Sequence, residues 1–350
     1  MNEAGGIARE LVHGNGFASP FHDSTGPTAW LAPLYPTLLA GIFSLFGVQT
    51  LASAWAAAIL NVLFSSVTAL VVRQLGTEHF GESAGLVAGW AWALSPPLAI
   101  MPWLLWETCL SALVMSFGLL RLLRLNKASP IPDWLFCGCI WSFAALLNPA
   151  LLAPLPILAL RAIWKRCLIG SAAMILICAL GVAPWTTRNV LRLHHLVPVR
   201  SNFWPELFFG NVSFSLHPTG DSMAYQREGE IAFAANLRKR VIDSVRSNPA
   251  NFFRLTRQRV IAFWTGPSPF GLYGALLSLA TLTGIVLAGF AARAWFSFSC
   301  VLMLYPLVYY LTFTFARYRH PIEPLMYALS GFALSELATY GKRWRAREDR

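Results

Sequence analysis

The sequence predicts an all-α polytopic membrane protein with a small extramembrane segment. Composition, the spacing of apolar runs and the placement of basic residues between those runs carry this reading. Only 12% of the 350 residues are charged and 56% are hydrophobic, whereas an average soluble domain is roughly 25% charged. Mean hydropathy is +0.54. Fourteen Trp and 24 Phe suit lipid contact and anchoring at headgroup level. A net charge of +11 would point a soluble chain toward nucleic acid. Here the basic residues fall mostly between apolar runs, so membrane lipid is the expected partner and nucleic acid is not.

A bilayer span needs about 20 mostly apolar residues. Residues 1–50 open polar and Gly-rich, with no secretory signal pattern, and read as a first outer loop. Within it the run 34–47 (LYPTLLAGIFSLFG) is too short to span and reads as a helix lying on or dipping into the membrane surface. Spans follow in 51–185, near 51–72, 83–103, 104–124, 134–147, 149–163 and 167–185. Proline at Pro96-Pro97 and in Asn148-Pro149 softens their ends, and 134–163 reads as two tilted helices or one broken pair. Segment 186–260 is too polar for lipid and too long for a turn; with a helical stretch around 224–246 it reads as a cap or a solvated loop domain. Further spans near 270–292, 294–314 and 321–340 lie in 261–341, and 342–350 is a basic tail.

The positive-inside rule orients these spans. Arg121, Arg124 and Lys127, then Arg161, Lys165 and Arg166, then Arg293, then Lys342, Arg343, Arg345 and Arg347 all fall on one face when spans alternate. That face is the cytoplasm. The opposite face receives residues 1–50, the turn at 103–107, segment 186–260 and Arg317–His320. The N-terminus then lies outside with no span ahead of it, so a helix upstream of Met1 is expected.

Ionisable groups near lipid are costly and mark functional positions. Glu107, at the outer end of a span, is a candidate catalytic carboxylate, with a favourable charge at a helix N-terminus as the plain alternative. Arg317-Tyr318-Arg319-His320-Pro321 is the densest cationic cluster at the outer boundary. Positive charge there opposes the orientation rule, while guanidinium groups grip phosphate in bidentate fashion. Arg317, Arg319 and His320 are therefore candidate ligands for a lipid-linked phosphate, with snorkelling to headgroups as the alternative. Arg188, at similar depth, joins them. The six cysteines, at 109, 137, 139, 167, 178 and 300, read as small apolar packing residues. His194-His195 reads as surface. The sequon at Asn211 faces the side where glycosylation would occur.

Several elements resemble the polytopic GT-C glycosyltransferases of the bacterial family 39 and aminoarabinose-transferase type. They are Glu3 with Ile7-Ala8-Arg9, Leu11 and Gly14-Asn15-Gly16-Phe17; Pro33-Leu34-Tyr35-Pro36 through Phe46-Gly47; Pro184-Trp185-Thr186-Thr187-Arg188-Asn189 with Val197 to Asn202 and Gly210-Asn211; and Arg317-Tyr318-Arg319-His320-Pro321. The resemblance implies a GT-C-like transmembrane bundle in a bacterial inner membrane. It also implies sugar transfer from a polyprenyl-phosphate donor, by inverting single displacement, to a lipid, glycan or protein acceptor on the periplasmic face. A carboxylate at the start of the first outer loop acts as base in that family. Glu3 stands at about that position, and Asp23 is a second candidate, alternatively a turn residue. The family's helix before the acidic position is absent from this sequence. Strict spacing leaves open a catalytic Asp upstream of Met1, in which case the chain as it stands is inactive. A divalent cation stays open as cofactor, because the family divides on this point.

Two other readings compete. A lipid or polyisoprenoid transporter would line a path with Glu107 and the arginines, but would show paired internal repeats, and the halves of this chain are not self-similar. An oligosaccharide ligase-type membrane protein would also work on the outer face with Arg-rich sites.

Overall fold

The computed structural model describes residues 3–21, 24–164, 167–213, 222–266, 271–291 and 294–348. No strand occurs among them; Ala18 and Pro27 form an isolated antiparallel bridge. Helices α1 (Glu3–Val12) and α2 (Leu34–Phe46) form the first loop; α2 matches the helix expected over 34–47, and α1 is an additional helix in the polar, Gly-rich opening. A bundle of α3 (Leu51–Phe80), α4 (Glu82–Ala93), α5 (Thr108–Arg124), α6 (Ile131–Leu147), α7 (Leu155–Trp164) and α8 (Leu168–Leu193) follows. The cap holds α9 (Phe203–Phe208), α10 (Ser222–Glu228), α11 (Glu230–Ser247) and α12 (Pro249–Thr265). The chain returns through α13 (Gly271–Phe290), α14 (Trp295–Leu304), α15 (Leu307–Leu311), the short α16 (Ala316–Arg319) and α17 (Glu323–Glu348).

Helices α3, α8 and α13 are long and apolar enough to cross a membrane. Proline divides the remaining apolar segments. Short 3₁₀ turns at Pro96–Ala99 and Met101–Trp103 continue α4, another at Pro149–Leu152 precedes α7, and Pro306 separates α14 from α15. Residues 134–163 fold into two helices, α6 and α7, separated by Asn148 and the 3₁₀ turn that follows it. Helix α8 runs on to Leu193, past the expected boundary at 185, with Pro184 inside it.

Small residues let backbones approach closely where lipid offers no hydrophobic driving force between helices. The α3–α4 hairpin turns on Gly81, whose φ of +109° an L side chain rarely adopts. Above that turn Gly76 faces the Gly85 backbone. Helices α6 and α8 run parallel, Gly138 against the Met174 carbonyl and Gly181 against Ser142. Helices α13 and α17 also run parallel, with Thr281 beside Met326 and Ser330, whereas α17 meets α4 antiparallel, Gly331 on Ala84 and Ala88. Leu160, Leu180, Leu276 and Phe290 stay exposed on outward faces, the pattern expected of helices solvated by lipid.

The alternation leaves the first loop, the cap and residues 312–322 at one end of the bundle. Arg124 and Glu78 pair at the other end. A second core, separate from that of the bundle, closes the cap: Trp30 from the first loop packs among Leu207, Phe208, Phe209, Tyr225, Phe233, Leu237 and Val241. Segment 186–260 is thus built into the first loop rather than draped over it. Five of the cysteines are buried or half-buried, as packing residues should be, and Cys139 lies on an exposed face.

A Cβ at Gly284 would collide with the Leu329 backbone, whereas one at Gly289, in the same helix, would meet nothing within 4 Å. Gly284→Ala is therefore expected to cost about 1–3 kcal/mol through overpacking and Gly289→Ala to be tolerated. Thermal unfolding of the detergent-solubilised variants measures both.

Candidate functional site

The charged groups at the cap end come from distant parts of the chain, and the fold sorts them into two sets. One set holds the structure together. Arg188, on α8, donates from Nη2 to the Phe17 carbonyl at 2.6 Å and from Nη1 to the Thr28 carbonyl at 2.6 Å, and packs over Trp185. Arg319 is buried, bonded through Nε to Glu323 at 2.9 Å and through Nη1 to the carbonyls of Phe263 and Trp264. His320 is fully buried, with Nδ1 2.8 Å from Glu323 and its ring stacked on Trp92. Arg259 does similar work, binding the Gly210 and Leu311 carbonyls and the Asn211 side chain. Each of the three arginines already has protein acceptors at its charged end, because buried carbonyls left by irregular backbone need donors, while His320 has its acceptor in the Glu323 carboxylate.

The other set faces a cleft. Glu107, Arg200, Ala4, Leu31, Ala32, Tyr35, Pro36 and Leu147 line a narrow, partly open cleft between the first loop, the α5 N-terminus and the cap. Glu107 is half-buried, and Asn148 Nδ2 donates to its Oε1 at 3.3 Å. The same amide donates to Tyr309 Oη at 3.2 Å, and Tyr305 donates to Tyr309 at 3.3 Å. The charges of Arg317, Arg200 and Glu3 all bear on Glu107. Glu3 opens α1, one residue before the cleft-lining Ala4.

Arg317 spreads its guanidinium over Trp106 at 4.2 Å and donates to Tyr318 Oη at 3.2 Å, while its Nε has no protein partner. Tyr318 in turn stacks on Tyr309 at 4.5 Å. Arg200 makes no hydrogen bond or ion pair among the described residues; the carboxyl groups of Glu206 and Glu107 act on it at longer range. Burial would pull Arg200 down, but these acidic groups outweigh it and hold it above the ordinary arginine value. For Glu206 the balance runs the other way. Burial pushes its carboxyl above the usual range more than Arg200 pulls it back, and Asn202 donates to its Oε1 at 2.6 Å.

Of the residues singled out from sequence, the structure brings together Glu3, Glu107 and Arg317. It directs Arg188, Arg319 and His320 to partners within the protein, and of the four cations expected to act together only Arg317 keeps a guanidinium nitrogen facing the site without a protein partner. Asp23 lies outside the described residues. Arg200 and Glu206 were missed, although Arg200 stands in the Val197–Asn202 element already matched; a loop arginine carries no periodicity to mark it. Asn211 is buried and bonded to the Leu207 and Leu311 carbonyls, which removes its sequon from consideration. His194 and His195 are exposed, as expected. Among the described residues no three His, Cys, Asp or Glu side chains are grouped to hold a metal ion.

An all-α membrane bundle with a charged cleft under a helical cap defines a class of architecture, and comparison with solved structures names it. The oligosaccharyltransferase AglB from Archaeoglobus fulgidus, solved with an inhibitory peptide and a dolichol-phosphate, superposes over 99% of this chain with a TM-score of 0.59 at 15% identity. The chain spans 47% of AglB, about half its length. ArnT from Cupriavidus metallidurans, solved with undecaprenyl phosphate, gives a TM-score of 0.41 at 14% identity over 95% of this chain and 72% of ArnT. Its apo form gives 0.40 at 15% identity with the same coverage. No family model and no curated protein sequence matches. The fold is GT-C-like, an all-α polytopic bundle.

Because Glu206 takes up its proton more readily when folded, there is a pH window above the ordinary carboxylate range in which the native state keeps a proton that the unfolded chain has lost. Stability contributed by that proton falls as pH rises from the ordinary carboxylate range through the folded value. Glu206→Gln should match the parent near pH 4 and unfold at higher temperature than the parent at neutral pH. Melting temperature followed across pH 4–8 checks the sign.

Proposed function

We propose that the chain catalyses transfer of a sugar from a polyprenyl-phosphate-linked donor to an acceptor hydroxyl or amine at the cap end of the bundle, on the outer face of a bacterial inner membrane. The observation that carries this reading is the cleft. A half-buried carboxylate, Glu107, shares it with Arg200, and Arg317 stands close by with an unpartnered guanidinium nitrogen. Burying unpaired guanidinium groups is costly, so two at one site argue for an anionic ligand. The GT-C-like fold supports a lipid-linked one, and AglB was solved with a dolichol-phosphate.

In the proposed step Glu107, or Glu3 beside it, takes the proton of the acceptor as the acceptor atom attacks the anomeric carbon. The bond from that carbon to the phosphate oxygen breaks, and its electron pair leaves with the phosphate. Inversion follows from a single displacement. Arg200 and Arg317 stabilise the charge that develops on the departing lipid phosphate, the term that is usually largest in such reactions. Asn148 keeps Glu107 oriented by binding one of its two oxygens. The products are the glycosylated acceptor, polyprenyl phosphate and one proton.

In proteoliposomes supplied with radiolabelled polyprenyl-phosphate-sugar, Arg317→Ala and Arg200→Ala should each lower sugar release by about 10²–10³-fold, the size typical for loss of one charge-stabilising group. Glu107→Gln and Glu3→Gln, compared side by side, assign the base. Unchanged donor binding in both arginine variants would refute the phosphate role.

A further inference from the structure

Glu230 is a buried carboxylate that the proposed chemistry does not use. It begins α11 and is 5% exposed, yet no cation lies within ion-pair distance among the described residues. Instead it accepts hydrogen bonds from three separate segments. Ala29 N donates to Oε1 at 2.9 Å and Ser201 Oγ to the same oxygen at 2.7 Å. Thr28 Oγ1 donates to Oε2, and Tyr225 Oη donates to Oε2 at 2.6 Å. Burial, and then the charge of Glu230 itself, push the Tyr225 phenol far up, so it remains a donor. A carboxylate with this many donors is stable without a direct counter-ion, and Arg188 supplies positive charge at longer range.

The residues it joins flank the cleft. Ser201 follows Arg200, and Thr28–Ala29 precede Leu31 and Ala32, so one carboxylate ties the segments that form two walls of the cleft. The Ala29 carbonyl accepts from Ser201 N at 2.8 Å, which closes the link in the other direction. We infer that Glu230 is a positioning residue that fixes the Arg200 guanidinium against the first-loop wall of the cleft. This rests on the proposed role of Arg200 in holding the donor phosphate. Misplacing a charge-stabilising group by about 1 Å can cost 10²-fold, so a residue that touches no substrate can govern turnover from this position.

A double-mutant cycle with polyprenyl phosphate binding and kcat/KM as readouts tests the inference. Glu230→Ala should weaken both by about tenfold or more in the parent and in the Arg317→Ala background. In the Arg200→Ala background it should change them less than about threefold, because the group it positions is gone. Glu230→Gln keeps an acceptor for Ala29 N and Ser201 Oγ and should recover most of the loss. Should Glu230→Ala fail to fold, Ser201→Ala removes a single bond of the same link and runs through the same cycle with a smaller effect. Equal losses in both arginine backgrounds would overturn the inference and leave the proposed function standing. A parent that neither binds polyprenyl phosphate nor releases sugar would overturn both.

Discussion

The dipeptide Thr28–Ala29 is where the architecture of the cap end is decided. All four of its backbone polar groups, and its one side-chain hydroxyl, find partners in the rest of the protein. Thr28 N donates to Phe17 at 3.1 Å and Ala29 O accepts from Ser201; Thr28 O accepts from Arg188 and Ala29 N donates to Glu230. A cation on one side and an anion on the other thus bracket an irregular stretch of chain. Irregular backbone next to a membrane bundle needs this completeness, because each unsatisfied group away from water costs on the order of 1–3 kcal/mol. The bracket also explains why Trp30, the next residue, lies in the cap core instead of the bundle core. First loop, α8 and cap behave as one unit because they meet on two residues.

This constraint accounts for the division among arginines. Where backbone leaves a helix at Phe17, Thr28, Gly210, Leu311, Phe263 and Trp264, the exposed carbonyls are taken up by Arg188, Arg259 and Arg319. Guanidinium is suited to this work, since its planar fork reaches several acceptors at once and its hydration is weaker than that of ammonium. At the cleft, Arg317 stands among aromatic rings instead of free carbonyls, and Arg200 makes no hydrogen bond among the described residues. Arg317 lies over Trp106 and Tyr318, contacts that hold its orientation through the ring faces and leave its Nε–H available.

The helix bundle was legible in the sequence because apolar length and the inside bias of basic residues are local properties, readable without knowing what packs on what. Asn148-Pro149 could be flagged as a break for the same reason. The cap helix around 224–246 was legible too, and α1 was not: its Gly5-Gly6 pair reads as loop, and it is tertiary packing against α2 that keeps it helical. The candidate site was half legible. Glu107 and Arg317 announced themselves as charges at a lipid boundary. Arg188, Arg319 and His320 carried the same signal, and nothing short of the folded carbonyls and Glu323 tells them apart from Arg317. Arg200 and Glu206 lie in a polar loop where charge is unremarkable, and Glu230 looked like one more solvated acid of the cap.

Around the cleft stand Glu3, Glu107, Glu206, Arg200 and Arg317, five ionisable groups from four segments of the chain with no ion pair among them. Elsewhere in this chain opposite charges do pair, Arg319 with Glu323 in the interior and Arg124 with Glu78 at the surface. The protein can therefore bring opposite charges into contact, and at the cleft its rigid frame holds them apart. Asn148 engages Glu107, Asn202 engages Glu206 and aromatic rings engage Arg317, so neutral groups take positions that a salt bridge would otherwise claim. The Thr28–Ala29 bracket is the part of that frame that ties the first-loop wall to the segment carrying Arg200, through the Glu230 carboxylate and the Ser201 amide.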